Sequence, residues 1–425
     1  HNNLAGPPPF GMDQSSNGKA ATTRRAYLRG VGAAGGTVAL AGCLGGWGRD
    51  TIMLGGTMSL SGPFAQLGQL YRDAYELTVR RINEAGGVEA GDGTTYRLEL
   101  DLRDDESDPE LSVRRYRELV AQVDYLLGPY SSEITLAASD VAAEHERPMV
   151  QGSGASPEIY SAGAGWIFGL LPTADRYATA TIEMAMAQPD PPQSAALLTE
   201  RDPFSRSVAT GAREKLAAEG VELVLDRSFR SGLTDFSGHL RAVADRDADL
   251  LLLSGHETHA IRLANQLSYR GTAPKLVMAT VGSLTARFRT QAGPRGAYFC
   301  GPSPWNDTAE ESDPVYGSTA GFVEAVESAH GYRPDYHSAA AAAAIAVYRA
   351  AFQRATQLGP AAVREALTRT SLTTAYGPVS FDDRGVIDRD LVVYQWHPRD
   401  GGPPDRVLVW PPAVREAPLV YPIPQ

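Results

Sequence analysis

From residue 52 onward, short apolar runs alternate with longer stretches in which apolar residues recur every three or four positions. Ile52–Met58 predicts a strand. Gln69–Asn83 has helical spacing at Leu70, Ala74, Leu77 and Ile82 and stops at Ala85-Gly86-Gly87, a glycine C-cap signal. Tyr96–Leu102 alternates apolar and polar, as a strand does. Asp108 followed by Pro109 predicts a helix to Ala121, with Asp108 as N-cap and the proline at the first helical position. Asp124–Leu127 reads as a short buried strand ending at Gly128-Pro129, Ser132–Glu146 as a helix and Pro148–Gln151 as a strand.

The alternation continues through Ala195–Thr199, Phe204–Glu219, Glu222–Asp226, Asp235–Arg246, Asp249–Ser254, His259–Tyr269 and Lys275–Ala279. Helices between short apolar strands imply α/β architecture with parallel sheets and βαβ crossovers. Leu250-Leu251-Leu252-Leu253 is apolar without alternation, as expected for a strand covered on both faces. The alanine run Ala339–Ala346, continuing to Ala355, carries Arg349 and Arg354 and predicts a close-packed core helix rather than a membrane span. The Pro-rich stretch Gly401–Gln425 is expected to wrap over the surface or end in a tail.

Before residue 50 the pattern is different. Thr23-Arg24-Arg25-Ala26-Tyr27-Leu28-Arg29 leads into a Gly/Ala/Val run that closes at Leu40-Ala41-Gly42-Cys43. A positive segment, a short apolar segment and a small-residue cleavage point, in that order, make a secretory leader over residues 1–42. Arg24 and Arg25 resemble a twin-arginine export signal. Leu-Ala-Gly-Cys resembles a lipobox, in which Cys43 carries lipid and heads a linker over 43–50. The Val31–Ala41 run is shorter than the roughly 20 residues a membrane span needs. The stretch before Met12 reads as either vector-derived or upstream of the true start.

The net charge of −11, with a leader that is itself basic, leaves an acidic body. That excludes nucleic acid as a partner, because phosphate binding needs clustered Lys and Arg. Lysine occurs only at positions 19, 215 and 275. Few lysines with acid excess fit either a GC-rich genome or a high-salt habitat. Cys43 and Cys300 are the two cysteines. With Cys43 lipidated no disulfide framework exists, and Cys300, in the strand-like Gly296–Cys300, reads as a buried inert thiol.

No segment carries enzyme chemistry. The Gly-rich loop Ser59–Gly68 is neither G-x-G-x-x-G nor a P-loop. His256-Glu257-Thr258-His259 spaces its histidines by three, where a zinc-protease helix needs four. Ser131, Ser132 and Ser205 do not sit in a G-x-S-x-G elbow. No cofactor and no metal are therefore expected.

The loops gain meaning together. Ser59-Leu60-Ser61-Gly62-Pro63-Phe64-Ala65-Gln66-Leu67-Gly68 is followed by Ile82-Asn83-Glu84-Ala85-Gly86-Gly87-Val88. Then come Asp104-Asp105-Glu106-Ser107-Asp108-Pro109-Glu110 and Leu127-Gly128-Pro129-Tyr130-Ser131-Ser132. The late markers are Tyr376-Gly377-Pro378-Val379-Ser380-Phe381-Asp382 and Val393-Tyr394-Gln395-Trp396-His397. In this order, over Ile52–His397, they closely resemble the branched-chain-amino-acid type of periplasmic binding protein, the extracytoplasmic receptor of an ABC importer. The resemblance implies two doubly wound parallel-sheet lobes joined by three crossings, near Leu171, Ser303 and Ala375. Lobe 1 is then 51–171 with 304–375, and lobe 2 is 172–303 with 376–425. It also implies a small-molecule ligand between the lobes, permease subunits as membrane partners, a monomer, and no catalysis.

The resemblance also supplies candidate ligand contacts. Leu67 lies in the first loop. Ser132, with Ser131 and Tyr130 beside it, matches the serine that holds a ligand carboxylate; alternatively it only caps a helix. Ser153, Gly154, Ala155 and Ser156 match the next binding loop, with Ala155 where a threonine is expected and Ser156 as a substitute hydroxyl. Phe204 matches the aromatic cover from the second lobe, or is a core residue of its helix. Thr280 and Val281 stand where amino-acid binders carry the acid that meets the ligand ammonium. Without that acid, either Glu257 supplies the charge or the ligand has no ammonium, which brings in amides, urea-like compounds and organic acids. Glu257 read by itself is equally a solvated surface acid, and His256 adds a hydrogen bond or a pH dependence. Two other roles remain open on sequence alone: a ligand-sensing subunit of the same fold without transport, and an exported α/β hydrolase.

Overall fold

A computed structural model describes residues 50–267 and 274–424. The leader, including Arg24, Arg25 and Cys43, lies outside the described residues. Among the described residues no helix is long and apolar enough to cross a membrane.

Two large sheets organise the body. The first has order β2-β3-β1-β4-β5-β6, with β1 Thr51–Met58, β2 Val88–Glu89, β3 Thr95–Asp104, β4 Tyr125–Leu127, β5 Met149–Gln151 and β6 Ile167–Gly169. The second has β7 Ser194–Glu200, β8 Glu222–Phe229, β9 Leu250–Ser254, β10 Leu276–Ala279 and β11 Phe299–Ser303. Two small antiparallel pairs follow, β12 Ser312–Asp313 with β13 Gly317–Ser318, and β14 Ser371–Thr374 with β15 Gly377–Ser380. Then β16 Val392–Arg399 and β17 Gly402–Trp410 complete the second sheet, in order β17-β16-β11-β10-β9-β7-β8.

In the first lobe, α1 Ala65–Glu84, α2 Pro109–Leu119, α3 Ser132–Glu144 and the short α4 Glu158–Ala162 connect the strands. In the second, α5 Thr179–Met186, α6 Pro203–Ala218, α7 Ser237–Ala244, α8 Glu257–Gln266 and α9 Ala286–Ala292 do so. The chain then returns as α10 Thr319–His330, α11 Tyr336–Arg354 and α12 Pro360–Thr368, with α11 against α1 and the first sheet.

Parallel register explains why short apolar runs suffice. Leu126, Met149 and Ile167 lie abreast and face the core under α2 and α3, while their neighbours Leu127, Val150 and Phe168 face α1 and α11. The four leucines of β9 divide the same way. Leu251 and Leu253 enter one core and Leu250 and Leu252 the other, all fully buried. Burial of such a side chain is worth about 1.5–3 kcal/mol. The alanine run of α11 is buried throughout, so the expected core helix is observed. Its small side chains permit the close approach to Gly152.

Three expectations need correction. Gly401–Gln425 is not a tail alone: residues 402–410 form edge strand β17, where prolines 403 and 404 are tolerated because an edge strand leaves one row of N–H groups unpaired. The helix expected from His259 begins at Glu257, with His256 as its N-cap residue. The third passage between sheets falls after Ile387, not near Ala375, because Gly169 bridges Val386 and Phe381 bridges Ile387 beside β6. The connections lie close together. Tyr376 donates to the Leu170 carbonyl (2.7 Å), Trp305 Nε1 donates to Ala375 (2.8 Å), and Arg389 stacks over Tyr376.

Candidate functional site

The loops at the carboxyl ends of β1, β4 and β5 face those after β7, β9 and β10, the position where ligands sit in parallel sheets. Tyr130, Ser131, Ser132 and Ser153 of the first lobe meet Phe204, His256 and Val281 of the second around an inner cavity of about 10 Å3, completed by Leu171, Tyr177 and Tyr336. That volume holds about one water molecule. On the other side of His256 lies a chamber of about 550 Å3, whose walls include Phe64, Leu67, Glu133, Glu200, Glu257, His259 and Arg287. A hollow of about 900 Å3 beside Thr51, Met53 and Asp124 lies at the amino ends of β1 and β4, away from these loops.

The first-lobe wall is built from neutral donors. Ser132 is the first residue of α3 and not its cap, which is Ser131, whose side chain makes no capping bond. The Ser132 hydroxyl accepts from the backbone N–H groups of Ala155 (2.9 Å) and Ser156 (3.2 Å). With both lone pairs engaged, its proton is left to donate. Ser153 donates to the Pro129 carbonyl, and Gly154 N–H donates to Gln151 (2.7 Å). Ala155 is fully buried behind Ser132 and so stands at one remove from the cavity, and the Ser156 hydroxyl is buried without a hydrogen-bond partner. Neither Ala155 nor Ser156 is among the residues lining the inner cavity.

The second-lobe wall is ionic. Sequence reasoning missed its two acids, Glu200 and Asp202. Asp202 caps α6, accepting from Ser205 N–H (3.0 Å), and its Oδ1 lies 3.6 Å from His256 Nε2. Glu200 Oε2 accepts from His256 N–H (3.2 Å) and lies 2.9 Å from His259 Nδ1. Burial alone would drive His256 toward the neutral form, but Asp202, then Glu200 and Glu133, outweigh it and raise its pKa to about 9. In return His259 and His256 hold Glu200 down at about 2 against its own desolvation, and His256 likewise holds Asp202 low. The imidazole is walled by Phe64 (5.0 Å between ring centroids), Phe204 (5.8 Å) and Tyr130 (6.3 Å). The Tyr130 hydroxyl is 3.4 Å from His256 Nδ1, joining the lobes. Among the described residues, Glu200, Asp202 and His256 present ligand atoms within 4.8 Å of one another, a spacing that suits a metal ion.

Glu257 is buried, which rules out the solvated surface acid. It is ion-paired to Arg287 (2.7 Å) and accepts from Thr285. Thr280 holds its own loop, its hydroxyl accepting from Gly255 N–H (3.1 Å) and donating to Gly255 O (2.8 Å). The turn that presents Val281 requires Gly282: its φ is +77°, and a Cβ there would stand 2.3 Å from that of Glu257. Cys300 is buried, and burial pushes its thiol pKa up.

Comparison with known proteins gives one consistent result. Residues 51–403 match the family model described as periplasmic binding protein. A leucine-, isoleucine-, valine-, threonine- and alanine-binding protein of Pseudomonas aeruginosa is 23% identical over 350 residues, 82% of this chain and 90% of the relative. The substrate binding protein LivJ of the branched-chain amino acid transporter of Streptococcus pneumoniae, solved with isoleucine, superposes with a TM-score of 0.72 at 21% identity, covering 84% of this chain and 99% of that one. An ABC transporter solute binding protein of R. palustris, solved with benzoate, gives 0.70 at 19% identity over 86% and 99%.

Proposed function

The chain belongs to the periplasmic binding protein family, whose members bind solutes and are not enzymes, and from that premise we propose that it is the lipid-anchored substrate-binding protein of an ABC importer. It captures one small polar solute, a branched-chain amino acid or a related amide, urea-like compound or organic acid. The observation that carries this reading is that the loops at the carboxyl ends of the two parallel sheets face one another, with Tyr130, Ser131, Ser132 and Ser153 of one meeting Phe204, His256 and Val281 of the other. Tyr130, Ser131, Ser132 and Ser153 supply hydroxyls near the N-terminus of α3, a favourable place for an anion. Phe204, His256 and Val281 close from the other side.

Leu67 lines the adjoining chamber, while Gly154, Ala155, Ser156 and Thr280 shape the loops behind the cavity. The proposed lobes are 51–171 with 304–387, and 172–303 with 388–425. Opening them makes room for the ligand, and its bridging contacts favour the closed form that docks on the permease. Arg24 and Arg25 direct export, Cys43 carries the anchor on the outer face of the membrane, and a monomer suffices.

A thermal-shift panel on the full chain tests capture, with branched-chain amino acids, their oxo acids, short amides, urea and dicarboxylates. A ligand at 100 times its Kd raises stability by about 2.7 kcal/mol. No shift with any class would defeat the reading. For export, the Arg24→Lys, Arg25→Lys double variant should remain in the cytoplasm; normal export would remove the twin-arginine assignment.

A further inference from the structure

We propose that Glu200, Asp202 and His256 form a site for one divalent transition-metal ion of the zinc class, beside the cleft in the second lobe. The inference is independent of which solute is captured, and its test needs no solute.

Topology brings the three side chains together. β7 and β9 are parallel neighbours, with Thr199 abreast of Ser254. Glu200 ends β7, Asp202 caps α6, and His256, just past β9, precedes α8. Each offers one ligand atom, and these atoms all lie within 4.8 Å of one another. Two donors each about 2.1 Å from one ion, at a tetrahedral angle, stand about 3.4 Å apart. Asp202 Oδ1 and His256 Nε2 are 3.6 Å apart, so an ion fits between them with little movement. The spacing of His256 and His259 along the chain points away from a metal. The partners of His256 come instead from the turn between β7 and α6.

Asp202 supplies an independent observation. The residue is 6% exposed. Its Oδ1 accepts from Ser205 N–H, which orients the carboxylate, while Oδ2 is buried with no hydrogen-bond partner. A buried polar atom without a partner is costly, and an ion would satisfy it. Among the described residues, no lysine or arginine is ion-paired with Glu200 or Asp202; each faces a histidine. One divalent ion cancels the two carboxylate charges with His256 neutral, taking the place of a proton on Nε2.

The outer contacts fit as well, since metal ligands are normally oriented by hydrogen bonds from a surrounding layer. His259 Nδ1 lies 2.9 Å from Glu200 Oε2. The Tyr130 hydroxyl lies 3.4 Å from His256 Nδ1, the ring nitrogen that keeps its hydrogen when Nε2 binds an ion. One imidazole with two carboxylates suits zinc, whereas calcium takes about six to eight oxygens. Glu200 and His256 also line the chamber of about 550 Å3, so the remaining coordination position opens toward it, for water or a solute oxygen.

The experiment is calorimetric titration of zinc, calcium and magnesium into the chelator-treated full chain, with X-ray absorption at the zinc edge. Wild type should bind one zinc ion at least about tenfold tighter than calcium or magnesium. The absorption fine structure should show one imidazole among oxygen ligands at about 2.0–2.2 Å. Glu200→Gln and Asp202→Asn should each weaken zinc binding by at least about tenfold. Asp202→Asn keeps the cap of α6 and so guards against a variant that fails to fold, and the absorption measurement reads the ligand set without any variant. Wild type that binds no zinc overturns the inference. So does a zinc shell that contains sulfur or lacks imidazole, or zinc held equally well by both variants, because the ion would then sit elsewhere.

Discussion

The two walls of the cleft are made of different materials. The first-lobe wall is neutral: hydroxyls and backbone N–H groups held by short-range bonds within consecutive loops, such as Ser132 to Ala155 and Ser156. The second-lobe wall is ionic, with Glu200, Asp202, His256 and Glu257 all buried and each facing an opposite or titratable charge. Neutral donors hold an acceptor in place whatever the pH. A buried ion network instead makes its own charge state part of the fold, so stability, pH and selectivity are coupled on that side alone.

The largest break in this contrast should come from Asp202. Asp202→Ala strands the His256 charge and uncaps α6, and should destabilise by about 3–5 kcal/mol in denaturant titration. Asp202→Asn keeps the cap and should separate that smaller share. Next comes pH. His256 titrates near 9 in the fold against about 6.5 when free, so its stabilisation is complete below about 6.5 and is lost as pH rises through 9, on the order of 3 kcal/mol. Glu200 runs the other way, held at about 2 against about 4.5 when free: its contribution is present above 4.5 and fades as pH falls toward 2. Stability curves of wild type and His256→Gln should therefore diverge below pH 9 and converge above it.

On the neutral wall, Ser132→Ala leaves two buried N–H groups without an acceptor. It should cost about 1–3 kcal/mol with no change in pH dependence. The smallest effect serves as the control: Arg176, paired with exposed Asp388 and Asp390, should change stability by less than about 1 kcal/mol when replaced by Ala.

Much of the architecture is legible in the order of residues alone. The apolar β9 run, the Asp108-Pro109 start of α2 and the buried alanine helix follow from local chemistry: two-sided burial, capping geometry and close packing. The strand of 402–410 is hidden by its prolines, which usually mark loops, and only pairing with β16 makes an edge strand of it. In the site, the loops with hydroxyls are legible from their order. Glu200 and Asp202 are not, because Asp202-Pro203 reads as one more helix cap, and nothing local indicates that His256, more than fifty residues later, will face it.

The chain by itself determines which segments become strands and helices, where they are capped, and which loops project from the carboxyl ends of the parallel strands. These depend on interactions within a few residues. Which charges meet across those loops was decided only by tertiary structure. His256 is pushed toward its charged form, against the effect of burial, because Asp202 and Glu200 lie beside it, and Glu257 is ion-paired because Arg287 lies beside it. Electrostatic partners are chosen by distance in space, and in a doubly wound lobe the loops that meet come from strands far apart in sequence.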